Sequence, residues 1–166
     1  MIDSKLQQGM IAQINVSDGG VPKLPISETE IGERGIPTDR QDDRKNHGSP
    51  DQALCIFAIE VIEELQAEGH PINAGSAGEN LTMSGLDWSR IVPGTRLRLG
   101  ADVLIEVTAY TTPCYKNAEW FIDGDFNRMH EKLFPGMSRV YARVIETGSI
   151  QEGDTVTAVA EVPAES

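Results

Sequence analysis

Of the two cysteines in this chain, Cys114 is the one whose neighbours suit chemistry. It lies in Thr111–Lys116 (TTPCYK), directly after a proline, at the end of an alternating apolar segment and two residues before Lys116. A nearby ammonium and exposed backbone amides favour the thiolate, the form of cysteine that attacks electrophiles and binds soft metals. One cysteine does not close a zinc or iron–sulfur site, which needs three or four protein ligands. No His/Asp pair stands in evident register for a thiol-hydrolase triad. A lone thiolate can still bind a metal whose other ligands come from a cofactor. Cys55 is set within Leu54, Ile56 and Phe57 and reads as an inert core thiol, its pKa raised by desolvation.

Two further segments carry polar residues that folding alone does not require. Asn73–Gly85 (NAGSAGENLTMSG) contains Gly75 and Gly78, which permit positive φ and close backbone approach. Their successive N–H groups suit an anion, although the segment also reads as a plain connecting loop. It lacks the Gly-Lys-Ser/Thr ending of a P-loop and the glycine spacing of a dinucleotide fingerprint. Glu79 and Asn80 within it need partners if they are buried. Asp39–Gln52 (DRQDDRKNHGSPDQ) contains His47, followed by Gly48. That histidine reads either as a surface loop residue or as an imidazole fixed by a tight turn beside a pocket.

The elements that must position these residues are mostly strands. Ile11–Ser17 is a first strand, closed by Asp18-Gly19-Gly20. Thr95–Leu99 alternates, with Leu97 and Leu99 on one face and Arg96 and Arg98 on the other. Val103–Ala109 repeats the pattern across a short turn, which predicts a hairpin with one buried face. Val140–Ile145 and Thr155–Val159 are further β-branched stretches, separated by turn residues Gly148 and Gly153. Ala58–Glu68 predicts a helix, with Ile59, Ile62 and Leu65 opposite Glu60, Glu63 and Glu64, and Gly69 as its stop. The preceding run Ala53–Phe57 is favoured as a strand leading into that helix. Asn117–Phe134 holds a second helical patch, in which Phe126, Met129 and Leu133 share a face and Pro135-Gly136 ends it. Short strands punctuated by glycine indicate a barrel or a sandwich.

The chain has 166 residues with 14 Lys and Arg against 26 Asp and Glu, a formal net charge of −12. That length fits one domain, which buries about 70% of its unfolded surface. The expected division is a loose N-terminus over residues 1–9, one domain over 10–160 and a tail over 161–166. The acidic balance argues against nucleic acid as a partner, and no basic stripe overrides it. The longest apolar run, Ala53–Ile59, is too short to span a bilayer, and MIDSKLQQG has no apolar leader core. Two cysteines make no disulfide framework, so a soluble cytoplasmic protein with reduced thiols is the expectation. No oligomeric state is legible.

Taken in order, several of these pieces resemble the MOSC domain family, the C-terminal domain of molybdenum-cofactor sulfurases, in its stand-alone bacterial form. The matching pieces are VPKLP (Val21–Pro25), HGSPDQAL (His47–Leu54), GSAGENLTMSGLDW (Gly75–Trp88) and RLRLGADVLIEVT (Arg96–Thr108). TTPCYK and GMSRVYARVIETGSIQEGD (Gly136–Asp154) complete them. Two positions depart from the family pattern: His47-Gly48-Ser49 stands where His-Gly-Gly is common, and Asp39 stands four residues after Gly35 where Gly-Asp is common.

The resemblance implies a mainly β fold, a closed or partly open β-barrel of the pyruvate-kinase-barrel type with a few peripheral helices. It implies that Cys114 matches the family's cysteine, which ligates molybdenum held by a pyranopterin dithiolene in relatives such as the amidoxime-reducing component. On that basis the molybdenum cofactor is the expected cofactor and reduction of N-hydroxylated compounds the expected activity. Lys23 and Arg139 are assigned to the cofactor's phosphate or pterin, with Gly75, Gly78, Glu79, Asn80, Tyr115 and Lys116 as further contacts. His47 or Asp39 is assigned to proton delivery. The sequence has no flavin motif and no iron–sulfur cysteine set, so an external reductase is the expected electron donor. Two alternatives stand beside this: a non-catalytic carrier of the molybdenum cofactor, and a sulfur-transfer protein with a persulfide on Cys114. Pyridoxal phosphate is linked to the family through the sulfurases, but no Schiff-base lysine with its usual companions is present here.

Overall fold

Residues 7–17, 22–39 and 50–159 are described by the computed structural model. The strands are β1 (Gln8–Val16), β2 (Leu24–Ile26), β3 (Glu28–Ile31), β4 (Leu54–Ala58), β5 (Leu81–Ser84), β6 (Arg96–Leu99), β7 (Val103–Tyr110), β8 (Val140–Glu146), β9 (Gly148–Gln151) and β10 (Thr155–Ala158). One α-helix, α1 (Ile59–Ala67), joins β4 to β5.

Alternation builds the β6–β7 hairpin as the sequence predicts. Leu97 and Leu99 are fully buried and pair with Ile105 and Val103. From this hairpin the sheet grows in both directions, giving the order β10-β6-β7-β8-β4-β5-β1, and β1 pairs with β10 to close seven strands into a barrel. Closure removes the open edges that would otherwise invite pairing with other chains. β2 extends the sheet beyond β1, and β3 pairs with β9 as a separate two-stranded ribbon. The mainly β barrel implied by the family resemblance is the architecture present.

β4 is buried at all five positions and lies parallel to β5, with α1 as the crossover. A strand covered on both faces has no reason to alternate, which is why Leu54–Ala58 is a continuous apolar run. α1 buries Val61, Ile62 and Leu65 and ends before Gly69, whose φ of 101° is the left-handed stop. Neither α1 nor any other helix among the described residues is long and apolar enough to cross a membrane.

Several segments differ from the sequence reading. Leu81–Ser84 is strand β5 inside a stretch read as loop, and Gly148 opens strand β9 instead of serving as a turn. β2 and β3 were not legible, being three and four residues long and largely exposed. β1 begins at Gln8, so Gln8 and Gly9 pair with Thr157 and Val156 and do not belong to a loose end. The helical patch at 117–134 is not an α-helix. It consists of 3-10 turns over Tyr115–Trp120, Ile122–Gly124 and Phe126–Met129, broken where Asp123 and Gly124 take φ of 56° and 68°. Met129 is buried but Leu133 is 59% exposed, so no common face forms.

Candidate functional site

The loop that leads from α1 into β5 is held by its own side chains. Gly75 has φ of 86°, and a Cβ there would come within 2.5 Å of the Lys23 carbonyl oxygen, so only glycine lets the loop lie against the β1–β2 connection. The Gly75 N–H donates to Glu79 Oε2 at 2.8 Å, and the Gly78 N–H donates to the Gly75 carbonyl at 3.1 Å. These two amides are satisfied within the loop and do not form an open anion cradle. Glu79 is fully buried, and its Oε2 also accepts from Thr82 Oγ1 at 2.9 Å, whereas Oε1 has no partner. Burial pushes the Glu79 carboxyl above the usual carboxylate range. The Gly75 and Thr82 hydrogen bonds and the Arg139 charge oppose that push without reversing it.

Asn80 explains why an asparagine follows. Its side-chain oxygen accepts from the Cys55 N–H at 2.9 Å, and its backbone N–H donates to the Cys55 carbonyl at 2.7 Å. Its Nδ2 donates to Asp39 Oδ2 at 2.9 Å. Asp39 also accepts from Lys23 Nζ at 2.7 and 2.9 Å and from the Ser17 N–H at 2.8 Å. Lys23 and Asp39 form an ion pair whose side chains are only 8% and 3% exposed. A carboxylate gripped by this many donors is a strap between segments, and proton delivery by Asp39 finds no support in this geometry. The Lys23 charge is likewise already matched by Asp39. His47 lies outside the described residues.

Cys114 stands on the other side of this loop. It is exposed and is the N-cap residue of the 3-10 turn Tyr115–Trp120. Its N–H faces Asn117 Oδ1 at 3.5 Å, while the Asn117 N–H donates to the Cys114 carbonyl at 2.9 Å. Asn117 Nδ2 donates to the Ala77 carbonyl at 3.2 Å, and Arg139 Nη1 donates to the same oxygen at 2.8 Å. One carbonyl therefore ties the cysteine's turn, the glycine-rich loop and the start of β8 together. Arg139 is 6% exposed, and its Nε is buried with no partner.

Beneath Cys114 lies a small polar group on the outer face of the barrel. Val140 and Ala142 point into the core, so Tyr141 between them points outward. Tyr141 pairs with Cys55 across β4–β8 and with Ala109 across β7–β8. Cys55 Sγ lies 3.9 Å from Thr111 Oγ1, and Thr111 also hydrogen-bonds the Tyr141 hydroxyl. Burial raises the pKa of both Cys55 and Tyr141, as the sequence context of Cys55 implied. Tyr141 feels the charges of Cys55, Arg139 and Cys114, which places all four in one neighbourhood.

The structure thus brings Lys23, Asp39, Gly75, Gly78, Glu79, Asn80, Arg139 and Cys114 into one connected region. Tyr115 is 76% exposed beside Cys114, and Lys116 is exposed with it. Sequence reasoning missed Asn117, Thr111 and Tyr141. The alternation of Val140, Tyr141 and Ala142 was a usable signal, because it points a polar aromatic away from the core.

The result is a closed β-barrel with an exposed thiol at one rim, linked through the Ala77 carbonyl to a shielded arginine. The chain belongs to the MOSC domain family, whose model matches residues 43–157. It is 30% identical over 138 residues to the uncharacterised protein YflK of Bacillus subtilis, covering 81% of this chain and 60% of that protein. Protein YiiM of Escherichia coli is 36% identical over 101 residues, 58% of this chain and 45% of YiiM. A Gibberella moniliformis protein named Reductase is 27% identical over 118 residues, 67% of this chain and 20% of its own length. The chain therefore spans between one fifth and three fifths of these relatives. The crystal structure of YiiM from Geobacillus stearothermophilus shares the fold, with a TM-score of 0.70 at 24% identity over 94% of this chain and 77% of YiiM.

Proposed function

We propose that this chain binds a molybdenum–pyranopterin cofactor through Cys114 and reduces N-hydroxylated compounds, with electrons from a separate reductase. The observation that carries this reading is the exposed Cys114 thiol linked through Ala77 to a buried Arg139 whose Nε–H is unpartnered. A shielded guanidinium with a spare donor suits an anionic group such as a cofactor phosphate or pterin. Among the described residues no cluster of three or more His, Cys, Asp or Glu can hold a metal. A metal at Cys114 whose other ligands come with it, as a pterin dithiolene supplies, agrees with that. The residues present fit the cofactor.

When bound, such a cofactor supplies two-electron redox chemistry and an open position for a substrate oxygen. The chain's own part is to offer the Cys114 thiolate, to pair Arg139 with the anion and to hold the turn carrying Cys114 through Asn117. Asn80 and the Lys23–Asp39 pair keep the loop beneath it in place. The relative named Reductase supports a redox role over a carrier role. A chain of net charge −12 favours a reductase that docks through a basic surface.

The test is expression of wild type and Cys114→Ser in a host that makes the molybdenum cofactor, with anaerobic purification and elemental analysis. Reduction of an N-hydroxylated base such as hydroxylaminopurine is followed with reduced methyl viologen as donor. Cys114→Ser is expected to lose molybdenum and reduction together, and wild-type activity in that variant removes the mechanism. Bound metal without reduction of any N–OH compound identifies a carrier instead. A labile extra sulfur on Cys114 without metal identifies sulfur transfer.

A further inference from the structure

Two buried polar atoms in this region lack a partner, and they are complementary: Glu79 Oε1 on the glycine-rich loop and Arg139 Nε at the start of β8. The inference rests on the assignment of Arg139 to an anion. We propose that Glu79 is a positioning residue for Arg139: protonated, it leaves the guanidinium to the anion, and ionised, it competes for it, so that anion binding takes up a proton.

The two side chains approach each other across one strand. Phe57 on β4 pairs with Thr82 on β5, and Ile56 pairs with Val140 on β8, so Thr82 and Arg139 flank Phe57. Glu79 Oε2 accepts from Thr82 Oγ1 at 2.9 Å, and Arg139 Nη1 donates at 2.8 Å to the Ala77 carbonyl, two residues before Glu79. Glu79 has no exposed surface and Arg139 is 6% exposed, yet among the described residues neither forms an ion pair. A buried carboxylate without a paired cation is costly, so the acid keeps its proton. Oε2 is occupied by the Gly75 N–H and the Thr82 hydroxyl, which leaves Oε1 to carry that proton. Burial pushes the Glu79 carboxyl up despite the Arg139 charge, in agreement with this geometry. The arrangement is therefore the one in which Arg139 keeps a donor for a ligand.

The other charged or titratable groups on elements packed against the loop are few. Cys55 on β4 and Tyr141 on β8 are kept neutral by burial, and Lys23 and Asp39 compensate each other at 2.7 Å. An anion at Arg139 occupies the cation that would stabilise the Glu79 carboxylate, so it raises the pH at which Glu79 ionises. By reciprocity, ionised Glu79 weakens the anion. Affinity is highest where Glu79 is protonated and falls as pH rises through its titration, which burial places above the ordinary 4.5.

The experiment is calorimetric titration of the full chain without cofactor, from about pH 5 to pH 9, in two buffers of different ionisation enthalpy. Sulfate is the probe, because it keeps its double charge throughout that range. In wild type, Kd is expected to rise by about tenfold as Glu79 ionises, a middling coupling between two sites. Binding above the onset of that rise is expected to take up protons. Glu79→Gln is expected to bind at every pH as wild type does at the acid end, with no proton uptake, and Arg139→Met is expected to lose sulfate. A purely structural role for Glu79 would change Kd by one factor at every pH. A flat Kd in wild type, or an unaltered slope in Glu79→Gln, overturns the inference. If Glu79→Gln does not fold, proton uptake by wild type alone decides. Wild type that binds no sulfate, or binding indifferent to Arg139→Met, overturns the role given to Arg139 in the proposed function. Binding that needs Arg139 but ignores pH overturns only this inference.

Discussion

Replacing Glu79 with glutamine separates the protonation of a buried acid from its shape. Glu79 has no exposed surface; its Oε2 serves the Gly75 N–H and the Thr82 hydroxyl, and its Oε1 serves nothing. Burial raises its pKa above the ordinary 4.5. In the unfolded chain the acid ionises near that ordinary value, while in the folded protein it keeps its proton to higher pH. Across the interval between the two values the folded state binds one proton more than the unfolded state. Stability therefore falls as pH rises, by about 1.4 kcal/mol per pH unit while the difference is one full proton. Below the unfolded value nothing is lost. Glutamine keeps a carbonyl for Gly75 and Thr82 and has no proton to lose. Urea unfolding of the metal-free wild type and Glu79→Gln from about pH 4 to pH 8 should show the stability difference moving in favour of the variant as pH rises above about 4.5. Parallel curves across that range refute the reasoning and make Glu79 an ionised partner of Arg139.

Two further outcomes follow from the same loop. Lys23→Met leaves Asp39 as an uncompensated buried charge and should cost about 3–5 kcal/mol in urea unfolding, with part of the loss recovered in the Lys23→Met/Asp39→Asn double variant. Gly75→Ala combines a positive φ with a 2.5 Å approach to the Lys23 carbonyl and should cost about 2–3 kcal/mol. Gly94→Ala, where φ is 98° but the space is open, should cost only the backbone share of about 1 kcal/mol.

The parts of the fold that were legible are those where one face meets water. β6 and β7 alternate because their outer faces carry Arg96, Arg98 and Glu106, which pair with one another or with Glu146. β5 was illegible for the opposite reason: it lies between β4 and β1, its first three residues are buried, and its glycine-rich approach resembles a loop. The 115–129 segment misled because helical spacing was present without the φ values to sustain it, Asp123 and Gly124 being left-handed. At the site, Cys114 was visible from its neighbours in sequence, but its supporting contacts were not. Asn117 reaches Ala77 forty residues away, and Tyr141 meets Cys55 only because β8 and β4 are paired. Cys55 itself looked purely apolar because an unbroken run hides which of its members turn outward.

The seam between β1 and β10 has a bearing on synthesis. Gln8 faces Thr157, so the first and last strands described here must meet before the sheet becomes a cylinder. On a ribosome the β6–β7 hairpin can form early from neighbouring residues, whereas the final zip waits until β10 has emerged. Until then β1, paired with β5 on one side, and β10, paired with β6, each keep one unpaired edge, and the nascent protein carries an open groove that chaperones are well placed to shield.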